Sequence, residues 1–168
     1  MRTLVIVRHA KAESPDGVRD IDRHLSARGR RDSRQAGTWL RHSTKRPDLV
    51  LSSPSRRTME TADEIVSGYD APAPTVRSEQ RLYEASLSDV LEVLRALPKK
   101  AGTVVLIGHN PSVSALATEL AGQPVDLRTC GVAVVSVPRA WAEIAGGGGL
   151  LETVQTPRGV KPHDSGAS

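Results

Sequence analysis

Arg8 and His9 stand together directly after an unbroken apolar run, Leu4, Val5, Ile6 and Val7. Gly108-His109-Asn110-Pro111 stands in the same relation to a second run, Val104, Val105, Leu106 and Ile107. A third strand candidate, residues 48–52, leads into Ser53-Pro54-Ser55-Arg56-Arg57. In open α/β sheets ligands bind in the crevice outside the carboxyl ends of the strands. Three such ends would bring two histidines and at least two arginines to one edge. Imidazole can act as a nucleophile. Guanidinium offers paired donors that match phosphate oxygens. This inventory suits chemistry on a phosphoryl group.

The elements that must hold these groups alternate in type. Residues 3–7 read as a buried strand, short and β-branched. Residues 10–25, with Pro15, Gly17 and several charges, read as a loop. Ser26 can cap a helix to about 42, with Ala27, Ala36, Trp39 and Leu40 on its inner side. Ser53 or Ser55 can cap a second helix through 66, with Met59, Ala62, Ile65 and Val66 inward. A short strand is expected at 75–77, irregular chain at 82–86, and a helix at 88–97 stopped by Pro98. A strand at 103–107 precedes a helix from Pro111 to about 121, ended by Gly122. Strands at 132–137 and 150–155 follow. Gly146 to Gly149 lack the Lys-Ser/Thr of a P-loop and read as a turn. The pattern predicts one α/β domain over 1–157, three-layered, with a mostly parallel sheet flanked by helices. Residues 158–168 are expected to form a disordered tail.

Composition narrows the class. Hydrophobic residues make up 38% and charged residues 25%, a balance that fits a folded globular domain. No apolar stretch approaches a membrane span, and residues 4–7 are too short for a signal-peptide core. A cytoplasmic enzyme is therefore expected. The single cysteine, Cys130, excludes an internal disulfide and a cysteine-rich zinc site. The net charge is +4, with basic residues gathered at Arg23, His24, Arg28, Arg30, Arg31 and Arg34. No stacking aromatics interleave with them, so they read as a solvated helix face and no nucleic-acid partner is expected.

These motifs resemble the histidine phosphatase superfamily, also called phosphoglycerate-mutase-like, over most of the chain. The family's Arg-His-Gly hallmark is here Arg8-His9-Ala10, with alanine in the third position. Ser53, Arg57 and Thr61 fit the spacing Ser-x-x-x-Arg-x-x-x-Thr, whereas Arg56 does not. Gly108-His109 matches the second family histidine, and Leu82-Tyr83-Glu84 the segment that carries the family acid. The resemblance implies His9 as nucleophile, Arg8, Arg57 and His109 as the phosphate ring, and Glu84 as acid. It implies no cofactor and no metal, because the arginines supply the positive charge. Lys11 and Glu13 flank the site, and His24, His42 and His163 read as surface residues.

Within the superfamily, the compact layout is similar to the phosphohistidine phosphatase SixA branch. The span between Glu84 and His109 is too short for a lid beyond one helix. An open site suits phosphate displayed on another protein. The resemblance therefore implies a phosphorylated protein, or a small phosphate, as partner. Three readings stay open: a phosphohistidine phosphatase, a phosphatase of small monoesters or nucleotides, and a phosphoprotein-binding module without turnover. The sequence leaves the oligomeric state open.

Overall fold

Leu4, Val5, Ile6 and Val7 are fully buried, as a parallel strand covered on both faces requires. They form the middle of β1 (Arg2–Arg8) in a computed structural model that describes residues 1–157. The tail expected at 158–168 lies outside the described residues. β2 (Leu49–Ser52), β3 (Val76–Ser78), β4 (Thr103–Gly108), β5 (Val132–Val137) and β6 (Leu150–Gln155) join β1 in one sheet. The strand order is β3-β2-β4-β1-β5-β6. The first four are mutually parallel, and β5 and β6 run antiparallel at one side.

Alternate residues of each strand enter two cores. Val5, Val7, Val50, Val105 and Ile107 pack with Ala36 and Leu40 of α1 (Ala27–Ser43) and with Ala62 and Ile65 of α2 (Arg56–Val66). Leu4, Ile6, Leu51 and Leu106 pack with Val90 and Leu94 of α3 (Leu87–Arg95) and with Leu116 and Leu120 of α4 (Ser112–Ala121). The result is the expected three-layer α/β domain. No helix among the described residues is long and apolar enough to cross a membrane.

Several boundaries differ from the sequence reading for identifiable reasons. The inner face of α1 is not the apolar stripe expected. Ala27 is exposed and Trp39 half-buried, while Gly29, Asp32, Ser33 and Gly37 are buried. Close approach explains the glycines: a Cβ on Gly29 would lie 2.1 Å from the Lys11 carbonyl oxygen, and one on Gly37 2.6 Å from that of Ile65. Of the two candidate caps for α2, Ser55 is the one used, accepting from Thr58 N–H. α3 begins one residue early because Ser86 and Asp89 close a capping box. It ends at Arg95, short of the expected 97. The short strand β3 lies one residue further on than expected, and a 3-10 turn (Gln80–Leu82) follows it. Residues 10–25 are also more organised than a plain loop. Ala12 bridges Leu25, and residues Asp20–Asp22 form a 3-10 turn.

Candidate active site

The sheet order makes the site. β1 and β4 are neighbours, with Arg8 opposite Gly108, and His9 N–H donates to the Gly108 carbonyl at 3.1 Å. Two histidines therefore leave adjacent strands at the same level, their ring centroids 5.3 Å apart. β2 is the other neighbour of β4 and ends at Ser52. Its next residue, Ser53, is buried with Oγ 2.9 Å from His109 Nε2. α2 then starts beside the same edge. Successive helical positions point about 100° apart, so Arg56 and Arg57 cannot both face inward. Arg57 is 6% exposed, and Arg56 faces solvent. Thr61, one turn on, accepts from Ala10 N–H at 3.1 Å and donates to the Arg57 carbonyl at 2.8 Å. It thereby ties the Arg8-His9-Ala10 segment to the first turn of α2.

The ring nitrogens have defined roles. His9 Nδ1 lies 2.7 Å from the Ala10 carbonyl oxygen. A carbonyl can only accept, so Nδ1 carries the hydrogen and Nε2 keeps its lone pair. Burial lowers the pKa of His9 to about 4, against the opposing pull of that carbonyl and with help from His109, Arg57 and Arg8. His109 Nδ1 lies 3.3 Å from an Arg57 terminal nitrogen, which can only donate, so here Nε2 carries the hydrogen and turns it to Ser53. Burial, followed by the Arg57 charge, lowers His109 to about 4 as well, while Asp20 pulls the other way. Both imidazoles are neutral at pH 7.

The two arginines are held alike. Arg8 NH1 donates to the Leu127 carbonyl at 3.2 Å, and Arg57 NH1 to the Asp20 carbonyl at 2.7 Å. In both, Nε is buried without a hydrogen-bond partner. A buried donor left unpaired costs about 1–3 kcal/mol, and Arg2 Nε, at the other end of β1, is left in the same way. Among the described residues, no group of three or more His, Cys, Asp or Glu side chains is placed to hold a metal ion.

Glu84 is the exception among the expected residues. Its side chain is exposed rather than partly enclosed, at a left-handed backbone position with φ of 56°. The turn that starts at Gln80 aims its neighbour Tyr83 inward instead: the Tyr83 ring meets His109 nearly edge-on at 5.7 Å between centroids. Sequence reasoning passed over Tyr83, Asp20 and Asn110. Tyr83 donates its hydroxyl to the Asp20 carboxylate at 2.8 Å. Asn110 donates to the same Leu127 carbonyl that receives Arg8, at 3.0 Å. The available signals were weak: a tyrosine next to the candidate acid, and an aspartate three residues before Arg23, with which it pairs. Lys11 is exposed, and its carbonyl accepts from Ser26. His24 and His42 lie at the surface, as read, while His163 falls outside the described residues.

The model of the histidine phosphatase superfamily (branch 1) matches residues 4–92. An uncharacterized protein of Mycobacterium tuberculosis is 36% identical over 163 residues, 90% of this chain and 100% of its own length. Among solved structures, a Nakamurella multipartitia protein assigned as a phosphohistidine phosphatase SixA is 32% identical, with a TM-score of 0.83. The match covers 94% of this chain and 96% of that one. A protein histidine phosphatase SixA solved with tungstate is 26% identical, with a TM-score of 0.80, covering 95% and 99% of the two chains. The family model and the relative that is 36% identical over its full length agree, and the chain belongs to the histidine phosphatase superfamily, branch 1.

Proposed function

We propose that this histidine phosphatase works through His9 and that its substrate is phosphohistidine on another protein. The lone pair on His9 Nε2 forms a bond to phosphorus as the bond from phosphorus to the leaving group breaks. Water then attacks phosphorus and the His9–phosphorus bond breaks, which releases inorganic phosphate. His9 Nδ1–H stays on the Ala10 carbonyl throughout, so the ring needs no reorientation between the steps. Phosphoryl transfer spreads charge over three equatorial oxygens, and fixed donors aimed at them supply most of the rate enhancement. Arg8 and Arg57 fill that role. His109 joins them when a phosphoryl dianion binds: its Nδ1 takes a proton from solvent and donates it to a phosphoryl oxygen, while Nε2–H stays on Ser53. The observation that carries the reading is a neutral His9 with a free lone pair on Nε2, gathered with Arg57, Arg8 and His109 closely enough for all three to lower its pKa. Tungstate, the ligand of one similar structure, is a tetrahedral oxyanion like phosphate and vanadate.

Two features favour phosphohistidine over an alkyl ester. Glu84, the expected acid, is exposed, and imidazole, with a conjugate acid near pKa 6.5, leaves without much help from a proton donor. α3 and β4 take up most of the chain between Glu84 and His109, so that span builds no lid over the crevice. The test compares kcat/KM on a phosphohistidine protein, a phosphoserine peptide, sugar phosphates and nucleotides. The phosphohistidine protein should lead by at least tenfold. A small monoester in first place would move the assignment to the alternative substrate class, and phosphoprotein binding without phosphate release would leave a binding module.

A further inference from the structure

Asp20 sits on the exposed segment between β1 and α1, yet three donors from three parts of the chain converge on its carboxylate. Arg23 NH1 reaches Oδ1 at 3.1 Å, while Tyr83 hydroxyl and Arg57 NH2 reach Oδ2 at 2.8 and 3.0 Å. Arg23 is itself fixed, through the Glu13 carbonyl and the Ser14 hydroxyl. The Asp20 main-chain carbonyl takes a further bond, from Arg57 NH1. Asp20 therefore receives the NH1–NH2 end of the Arg57 guanidinium twice, once by its backbone and once by its side chain.

A guanidinium has two forks that can bind an oxyanion in bidentate fashion, the NH1–NH2 end and the Nε–NH2 side. Asp20 occupies the first. The second holds the buried, unpartnered Nε and the NH2 that also touches His109. An aspartate that plugged the phosphate position would have taken the inward fork. This one takes the outward fork, so the inward one keeps an unpartnered Nε and an NH2 whose other contact is His109. We propose that Asp20 is a positioning residue, which fixes the Nε–NH2 fork of Arg57 toward the phosphoryl group that His9 receives. The inference rests on the functional reading given above. Desolvation would raise the Asp20 carboxyl, but the hydrogen bonds from Tyr83, Arg57 and Arg23 outweigh it and hold it near 2. It is ionised at any working pH and is no proton donor for the leaving group.

A double-mutant cycle on the full chain tests this. Asp20→Ala should lower kcat about 10- to 100-fold, the scale of a misplaced catalytic group, with KM changed much less. Orthovanadate affinity should fall with kcat. In an Arg57→Ala background the same change should cost less than about twofold, because the group being positioned is gone. Asp20→Asn keeps an oxygen acceptor and should recover most of the loss. Circular dichroism melts check that all variants are folded at the assay temperature. Equal losses in the two backgrounds, or no loss from Asp20→Ala alone, would overturn the positioning role while leaving the functional reading intact. Full activity of Arg57→Ala alone would instead strike the functional reading, and the positioning role with it.

Discussion

His9 and His109 begin with ordinary imidazoles near pKa 6.5 and are brought by the fold to about 4. The consequence for rate is direct. kcat/KM reports the free enzyme and the free substrate, so the acid limb set by His9 should fall near pH 4, while proton uptake by His109 and ionisation of the substrate's phosphoryl group shape the profile above it. An acid limb at 6 to 7 that does not move with the substrate's own phosphoryl pKa would mean that His9 is not suppressed. Stability should respond too. Between pH 6.5 and 4 the unfolded chain binds protons that the folded one refuses, so stability drops as pH falls through that window. Urea midpoints at pH 7 and 4.5 measure it, and His9→Gln should shrink the difference. At this scale the sequence was legible wherever a motif follows a strand: His9 and His109 stand out by type and position, and Arg57 is distinguished from Arg56 by the spacing of the family the chain resembles. Asp20 and Tyr83 could not, because both act through contacts between segments distant in the chain. Glu84 was named from the resemblance of Leu82-Tyr83-Glu84 to the family's acid-bearing segment, and its exposure is a property of the turn that sequence does not encode locally.

The helices show what periodicity captures and what it misses. Runs of β-branched and apolar residues placed all three site-bearing strands to within a residue, because burial on both faces leaves little other reading. The inner face of α1 was misread because it is built from closeness rather than greasiness. Gly37 lets the helix lie against the Ile65 backbone of α2, the helix that carries Arg57. Gly37→Ala gains about 0.5–1 kcal/mol in helix propensity. The 2.6 Å approach of the new Cβ to a main-chain oxygen cannot be relieved by a rotamer change. Overpacking of this kind costs about 1–3 kcal/mol, so a net loss of stability is expected from chemical denaturation. Turnover should fall as well, since α2 must shift. Unchanged or improved stability would mean that the two helices separate freely. The basic run before and within α1 is likewise a structural feature: Arg30 and Arg34 meet Glu60 and Glu64 of α2, and His24 meets Glu60.

For the whole molecule, alternation of strands and helices was enough to foresee the mostly parallel α/β sheet, whereas the order that makes β1, β4 and β2 neighbours, and so brings His9, His109 and Ser53 to one edge, is set by packing between distant segments. If Arg8 and Arg57 provide the positive charge, as proposed, prolonged chelation should leave turnover unchanged. Loss on chelation, restored by a divalent metal, would rule out this mechanism. Docking should separate from chemistry in the paired arginines. Arg56→Ala should raise KM for a protein substrate a few-fold and spare an aryl phosphate, while Arg57→Ala should cripple both. The central claim is that the phosphoryl group passes through His9. Mixing the protein with substrate and quenching in base within milliseconds should trap up to one phosphoryl group per chain, stable in base and lost in acid. The label should map to His9 and be absent from His9→Ala, whose turnover should fall about 10⁴-fold or more, as removal of a nucleophile does. Rapid wild-type turnover with no such species, or a His9→Ala variant that keeps near-normal activity, would contradict the account.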